Sequence, residues 1–303
     1  MAQLATIFLN VLVPVFLLVG LGYLSGRRLG LDSRTLSRFA YFILIPAYVF
    51  EVLSTAQIGA ALAGRMAAFA VAVHLGCAAA GFLVARALGR PPQMVAAYML
   101  IAVFGNVGNF GIPIIRFHYP GDQQAVVAGT VYFIAISSTA FAVSVAAANW
   151  HKGSALRSVL AVLKTPALIA VPPALLVNWL GWQLPPILMR PVELLSDGMI
   201  PTMLIALGVQ LAAAGLPRPN ADMAIASAVR LLGGPALAFA LAGPLGVEGI
   251  ARSTGVLQAA MPAAVLASII AVENDLLPSF VITAVLFSTV ASVVTLTLVL
   301  ALV

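Results

Sequence analysis

Charged residues are scarce in this chain. Only 8% of its 303 residues are Asp, Glu, Lys or Arg, whereas 62% are hydrophobic. A soluble domain is nearer a quarter charged, and no polar stretch here is long enough to build one. The composition therefore predicts an all-α polytopic membrane protein that resides in a lipid bilayer. The net charge of +6 then reports which loops face the cytoplasm, and we expect no nucleic-acid partner.

Enzyme and cofactor signatures are missing as well. The sequence has no H-E-x-x-H metal motif, no nucleophile elbow and no phosphate-binding P-loop. We therefore expect no enzyme, no bound metal and no cofactor. The single Cys77 cannot form an internal disulfide, and the first residues lack the basic region of a cleaved signal peptide.

Apolar windows of about 20 residues mark membrane spans. We predict ten, at residues 4–24, 38–55, 65–85, 93–115, 124–149, 157–180, 191–213, 222–244, 252–272 and 277–302. Cytoplasmic loops carry an excess of Lys and Arg, and most basic residues fall on one side of these spans. That side holds Arg27, Arg28, Arg34, Arg38, Arg86, Arg90, Lys152, Arg157, Lys164 and Arg218. This bias predicts a multi-pass protein of the cytoplasmic (inner) membrane with both termini outside.

An internal repeat is visible in the helix-breaking residues. Three pairs recur at nearly equal offsets: Pro14 and Pro172 at 158, Pro46 and Pro201 at 155, and Gly105 and Pro262 at 157. The offsets divide the chain into residues 1–150 with spans 1–5 and residues 151–303 with spans 6–10. Because five is odd, the second half enters the membrane with opposite orientation. Inverted repeats of this kind recur in secondary transporters.

Span 4 carries an unusual density of breakers at residues 103–115. Glycines and Pro113 weaken a continuous helix there, and Pro113 clashes with the carbonyl of Asn109. Backbone freed at membrane depth must be buried in protein or line a wet cavity, so broken helices indicate transporter binding sites. The alternative is an ordinary kinked helix whose amides make interhelical hydrogen bonds, worth about 0.6 kcal/mol each.

Spans 4 and 9 would be the equivalent broken pair of the repeat. If both unwind near the bilayer middle, four half-helix ends meet, and the two positive N-terminal ends suit a carboxylate or phosphate. We see no dedicated Lys or Arg at this level, so we expect anion binding to rest on backbone dipoles and amides. The candidate substrate-binding residues are Asn106, Asn109, Gly111, Pro113, Gln258 and Pro262.

Few ionisable residues lie within the spans. Glu51 and Asp197 flank the prolines of spans 2 and 7 and are candidates for ion coupling, or else are wetted at the outer interface. His74 and Arg230 occupy equivalent places in spans 3 and 8, 156 residues apart. His74 is either a packed side chain or a proton relay. Arg230 either snorkels to the cytoplasm, pairs with an acid or attracts anions, and Tyr132 could line a polar path.

Several motifs resemble one family. The run NVGNFGIP at 106–113 and the run QAAMP at 258–262 resemble the fourth-span and ninth-span motifs of the auxin efflux carrier family. LIP at 44–46 and GMIPTML at 198–204 resemble its second and seventh spans. This family contains the bacterial relatives of plant PIN-type carriers and falls within the bile acid/auxin carrier superfamily.

The resemblance implies ten transmembrane helices in two inverted five-helix repeats, with crossed broken helices 4 and 9. It implies a scaffold part of spans 1, 2, 6 and 7, a transport part of spans 3–5 and 8–10, and a homodimer. The implied substrates are small organic anions such as indole-type carboxylates and dicarboxylates. Two departures stand out: plant members have Pro-Asn where Gly105-Asn106 stands here, and a polar residue where Ala263 and Ala264 follow Pro262. We expect Gly105 to make the crossing more flexible.

Three functions are consistent with these features. The first is a secondary transporter of a small organic anion, a mono- or dicarboxylate, which works by elevator-like alternating access with a proton as the coupled ion. The second is a sodium-coupled organic anion symporter that resembles the bile acid family, with Na⁺ held by freed carbonyls. The third is a membrane ligand sensor without transport, against which the absence of a soluble output domain argues.

Overall fold

Helices form nearly all the regular structure of the computed structural model, which describes residues 5–6, 8–149, 165–214 and 220–303. In chain order the α-helices are α1 (Val13–Leu29), α2 (Ser33–Phe39), α3 (Ile45–Ser54), α4 (Ala60–Ala87), α5 (Pro92–Val103), α6 (Ile112–His118), α7 (Gln123–Asn149), α8 (Pro166–Trp179), α9 (Pro186–Asp197), α10 (Met199–Ala214), α11 (Ala221–Ala228), α12 (Gly234–Ala242), α13 (Gly249–Ala259), α14 (Val265–Glu273) and α15 (Pro278–Leu300). The described residues contain no β-strand, so the predicted all-α class is confirmed for them.

Six helical segments in the described ranges are long and apolar enough to cross a membrane. They are Phe8–Gly26, Ser33–Ser54, Ala60–Ala87, Pro186–Ala213, Ala221–Ala242 and Pro278–Leu300. Helices α5 and α8 are apolar but shorter. This is a membrane protein, and the count of ten spans stays a prediction. The predicted cytoplasmic residues Lys152, Arg157, Lys164 and Arg218 lie outside the described residues.

Four π-helical segments interrupt the helices in the described ranges, and each of them precedes a proline. The segments are Phe8–Leu12, Ala40–Leu44, Val107–Gly111 and Val229–Gly233. Each ends two residues before a proline: Pro14, Pro46, Pro113 and Pro235. Proline has no N–H and its ring clashes with the carbonyl four residues earlier, which belongs each time to the central residue of the π segment. The wider π turn accommodates that carbonyl, so the chain stays helical through the proline.

Helix contacts divide the described chain into two groups. In one, α1 packs along α10, and α3 packs against α8 and α9. Glycines allow the close approach of α1 and α10, because a Cβ on Gly22 would overlap the Ile205 carbonyl and one on Gly208 would overlap the Val19 carbonyl. In the other group, α4 contacts α5, α7 and α12, while α15 contacts α11 and α14.

Polar contacts connect α3 of the first group with α7 of the second. The Tyr48 hydroxyl shares a 2.9 Å hydrogen bond with the Thr130 hydroxyl. Nearer the end of α3, the Gln123 amide donates to the carbonyl of Thr55 at 3.3 Å. Around these bonds the two groups share one apolar core, which includes Tyr48 of α3 and Tyr132 of α7.

Candidate functional site

Two helices are interrupted at adjacent places in the structure. The interruptions are residues 104–106, between α5 and the π segment Val107–Gly111, and residues 260–264, between α13 and α14. We call them the paired breaks. The Asn106 N–H donates to the Pro262 carbonyl, and the Ala264 N–H donates to the Phe104 carbonyl, both at 2.7 Å. Each break thus satisfies backbone groups that the other has freed, as buried irregular backbone requires.

Neighbouring helix α15 completes the hydrogen bonding of the second break. The Ala263 N–H donates to the Ser288 hydroxyl oxygen at 3.2 Å, and that hydroxyl donates to the Val285 carbonyl at 3.0 Å. Sequence reasoning missed Ser288, because a serine inside a helix is more often bonded only to its own backbone. Its offset of 25 residues from Ala263 carries no local signal.

Asn106 places a free amide donor inside the protein. Its side chain is 5% exposed, and its Nδ2 has no partner among the described residues. The backbone carbonyl of Asn106 accepts from the N–H groups of Phe110 and Gly111 at 3.2 and 3.1 Å, and these bonds start the π segment. Asn109, at the centre of that segment, is half-buried. An unpartnered buried N–H is costly, so Asn106 presents a donor to any acceptor that enters.

Gln258 is the second amide at the paired breaks. It is fully buried, and its Nε2 donates to the Gly129 carbonyl of α7 at 3.1 Å. Its Oε1 has no partner in the described part of the chain. A Cβ on Gly111 would overlap this oxygen, so glycine is required for the contact. The structure therefore brings Asn106, Gly111, Gln258 and Pro262 together, while Pro113 lies buried in the first turn of α6.

Arg230 lies at the paired breaks, which corrects two expectations. It does not snorkel, because it is fully buried, and the prediction of no Lys or Arg at this level is wrong. The guanidinium donates from Nε to the Met261 carbonyl at 2.9 Å, from Nη1 to the Ala102 carbonyl at 3.0 Å and from Nη2 to the Ala259 carbonyl at 2.7 Å. The inward-facing side of a helix is not readable from depth alone, which explains the error.

His74 and Tyr132 are buried on the same side. The Tyr132 hydroxyl lies 3.1 Å from His74 Nδ1, and that nitrogen is also 3.0 Å from the Ala70 carbonyl. His74 Nε2 has no hydrogen-bond partner within the described residues. A Cβ on Gly105 would lie 3.2 Å from that nitrogen and 2.5 Å from Arg230 Nη2. His74 and Arg230 therefore both flank the first break.

The two predicted ion-coupling residues have different environments. Glu51 lines a cavity of about 340 Å³ between α3 and α7, and its Oε2 is buried without a partner among the described residues. The other lining residues are Val52, Thr55, Arg116, Tyr119, Gly121, Asp122, Gln123 and Val126. Asp197 ends α9 and is exposed. In the described ranges, no group of three or more His, Cys, Asp or Glu side chains could hold a metal ion.

Long apolar helices and a pair of interrupted helices define a membrane protein of the transporter class. The chain belongs to the family described as membrane transport protein, which matches residues 7–147 and 153–300. This match confirms the resemblance to the auxin efflux carrier family within the bile acid/auxin carrier superfamily.

Two archaeal relatives are similar to the chain. An uncharacterized transporter of Methanothermobacter thermautotrophicus is 38% identical over 104 residues, which is 34% of each chain. The chain therefore aligns with about a third of that relative. An uncharacterized transporter of Methanocaldococcus jannaschii is 22% identical over 284 residues, which covers 88% of this chain and 90% of the relative.

Proposed function

We propose that the chain is a secondary transporter of a small organic anion, a mono- or dicarboxylate, across the cytoplasmic membrane by alternating access. One observation carries the proposal: a buried positive charge and a buried unpartnered donor lie together at the paired breaks. Arg230 bonds to carbonyl groups and to no carboxylate in the described residues. An anion beside Asn106 would be attracted by that charge and would accept from the free Nδ2.

Helix polarity adds to this attraction. The π segment Val107–Gly111 and helix α14 both begin at the paired breaks. The N-terminal end of a helix carries positive partial charge and free N–H groups, which favour a carboxylate. The proposed site consists of Asn106, Asn109, Gly111, Pro113, Gln258 and Pro262, with His74, Tyr132 and Arg230 behind it.

An elevator-like motion is the mechanism we propose. The group of α1, α3 and α8–α10 would be a dimer-forming scaffold, and the group around α4, α7 and α15 would move against it. The few bonds between α3 and α7 are consistent with such a motion. The bridge between Gly105 and Ala263 joins residues 158 apart, in line with the repeat offsets of 155–158. This agreement supports two inverted repeats, and we propose with them ten spans and both termini outside, as the distribution of basic residues predicts.

Glu51 is our proposed carrier of a coupled proton. Its Oε2 is buried without a partner among the described residues, and an ionisable side chain within a membrane span is a candidate for ion coupling. Its cavity lies between α3 and α7, the elements that would move relative to each other. Asp197 remains a weaker candidate because its side chain is already exposed.

Uptake by proteoliposomes tests the proposal. A thermal-shift screen across mono- and dicarboxylates selects a ligand, and uptake of the labelled ligand is then measured for the wild type, Asn106→Ala and Asn274→Ala. Asn274 is the matched control, because its amide only caps the Ile270 carbonyl at 2.9 Å. We expect Asn106→Ala to abolish uptake at normal expression and melting temperature, while Asn274→Ala transports normally. Equal uptake by wild type and Asn106→Ala would rule out the assigned site.

A further inference from the structure

Helix interruption leaves carbonyl groups that need a positive partner. The last carbonyls of a helix have no intrahelical N–H donor, and the end carries negative partial charge. Two such ends, those of α5 and α13, converge at the paired breaks. In broken-helix transporters, freed carbonyls and half-helix C-terminal ends coordinate Na⁺. In this chain, a positive charge near the paired breaks must balance the freed carbonyl groups of α5 and α13.

Arg230 is the group that does so. Each of its three nitrogens donates to one carbonyl. Nη1 bonds to Ala102 at the end of α5 at 3.0 Å, Nη2 to Ala259 at the end of α13 at 2.7 Å, and Nε to Met261 inside the second break at 2.9 Å. A guanidinium carries fixed charge at any physiological pH and a rigid planar set of donors. It therefore supplies one positive charge to both helix ends at once.

The surrounding backbone leaves room for this guanidinium. Gly105 lies against it so closely that a Cβ would come within 2.5 Å of Nη2. Gly234 leaves room for the Ala259 carbonyl that accepts from this nitrogen, because a Cβ on Gly234 would overlap the carbonyl oxygen. Arg230 itself lies on the π segment that precedes Pro235. Two glycines and a π turn thus adapt the helices to a side chain that is completely buried.

We propose that the Arg230 guanidinium is a built-in cation that occupies the carbonyl groups a monovalent metal cation would otherwise coordinate, so that transport by this chain does not depend on sodium. The sodium independence of transport rests on the proposed function. The occupation of the carbonyl groups by the Arg230 guanidinium does not rest on the proposed function, because it concerns the protein without substrate. Arg230 is in this account a positioning residue: it holds the two helix ends together behind the anion site.

Cation-dependent melting of the purified protein tests the proposal without any substrate. Melting temperatures are measured in sodium chloride, choline chloride and guanidinium chloride at equal millimolar concentration. The wild type should melt at the same temperature in all three. Arg230→Ala should melt lower in choline, and sodium or guanidinium should raise its melting temperature by filling the vacated carbonyl cluster.

Arg252→Ala is the matched control. Arg252 is exposed and its guanidinium lies 5.6 Å from the Phe239 ring centroid, so its removal frees no carbonyl cluster. This variant should show no response that is specific to sodium or guanidinium. If Arg230 has only a structural role, Arg230→Ala should melt lower in all three salts, with no recovery that is specific to sodium or guanidinium. That result would overturn the proposal.

Two further measurements keep the proposal falsifiable if Arg230→Ala does not fold. A sodium-specific rise in the melting temperature of the wild type would overturn it directly. Arg230→Lys retains a cation but lacks the rigid planar donors of the guanidinium, so it should melt lower than wild type and remain indifferent to sodium. A sodium response in Arg230→Lys would contradict a built-in cation.

Uptake measured in sodium and choline buffers is the last test. Wild-type proteoliposomes should take up the screened carboxylate equally in sodium and choline buffers, and a requirement for sodium would overturn the proposal. Failure of uptake in both buffers would count against the proposed function, while the melting measurements would still decide the role of Arg230.

Discussion

The two breaks bond to each other but differ in chemistry. The first, residues 104–106, leads through Asn106 into a π segment and carries a buried donor without a partner among the described residues. The second, residues 260–264, contains only Ala, Met and Pro, and its polar backbone is bonded to Arg230, Ser288 and the first break. If the proposed anion site is correct, the first break supplies its recognition chemistry, whereas the second supplies a fixed backbone surface.

Gly105→Val should have the largest effect on stability. Its side chain would displace the Arg230 guanidinium, and overpacking of a dense interior costs about 1–3 kcal/mol before the lost hydrogen bonds are counted. Thermal unfolding of the purified variant measures the loss. Gly243→Ala is the control, since nothing lies within 4 Å of a Cβ there. Equal melting of the Gly105→Val variant and wild type would show that the guanidinium is not held as described.

Gln258→Leu should separate transport from stability. The substitution removes an unpartnered oxygen and one donor to the Gly129 carbonyl, so the free energy of unfolding should change by about 1 kcal/mol. Uptake should fall about tenfold, because the amide edge of the site is lost. Gln210→Leu removes the amide bonded to Ser37 on α2, and it should leave uptake unchanged. Equal loss of uptake in both variants would refute a binding role.

Ser288→Ala should have the smallest effect on uptake, because its cost in stability is confined to the second break. It leaves the buried Ala263 N–H without its acceptor, which costs about 1–3 kcal/mol. Denaturant or thermal unfolding gives the change, with Thr297→Val as control because Thr297 bonds only to the Val293 carbonyl. We expect uptake by the folded fraction to stay normal. A selective loss of uptake at unchanged stability would place recognition chemistry on the second break as well.

Sequence patterns located the breaks but not what surrounds them. Glycine and proline density placed the interruptions at residues 103–115 and near Pro262, because backbone breaking is a local property. The offset of 156 between His74 and Arg230 indicated equivalent places in the two repeats, but it did not predict that Arg230 lies at the level of the breaks. The contact of Arg230 with three carbonyls could not be predicted, since the side of a helix that faces the protein interior depends on tertiary packing.

Gly105 shows the same limit. We predicted a more flexible crossing from a glycine at this position. The structure places the Arg230 guanidinium against its missing Cβ, which gives the glycine a packing reason that no single-sequence pattern contains. The prolines behaved only partly differently: their local clash fits the places of the four π segments, but Pro172, Pro173 and Pro191 lie inside α-helices that have no π segment.

Equilibrium binding tests the central claim most directly. Calorimetric titration of the screened carboxylate into purified wild type and Asn106→Ala compares their dissociation constants in sodium-free buffer. A hydrogen bond to a charged group is worth about 1.5–3 kcal/mol, so the variant should bind on the order of 10- to 100-fold more weakly at unchanged melting temperature. Equal affinity of the two proteins would contradict an anion site at the paired breaks.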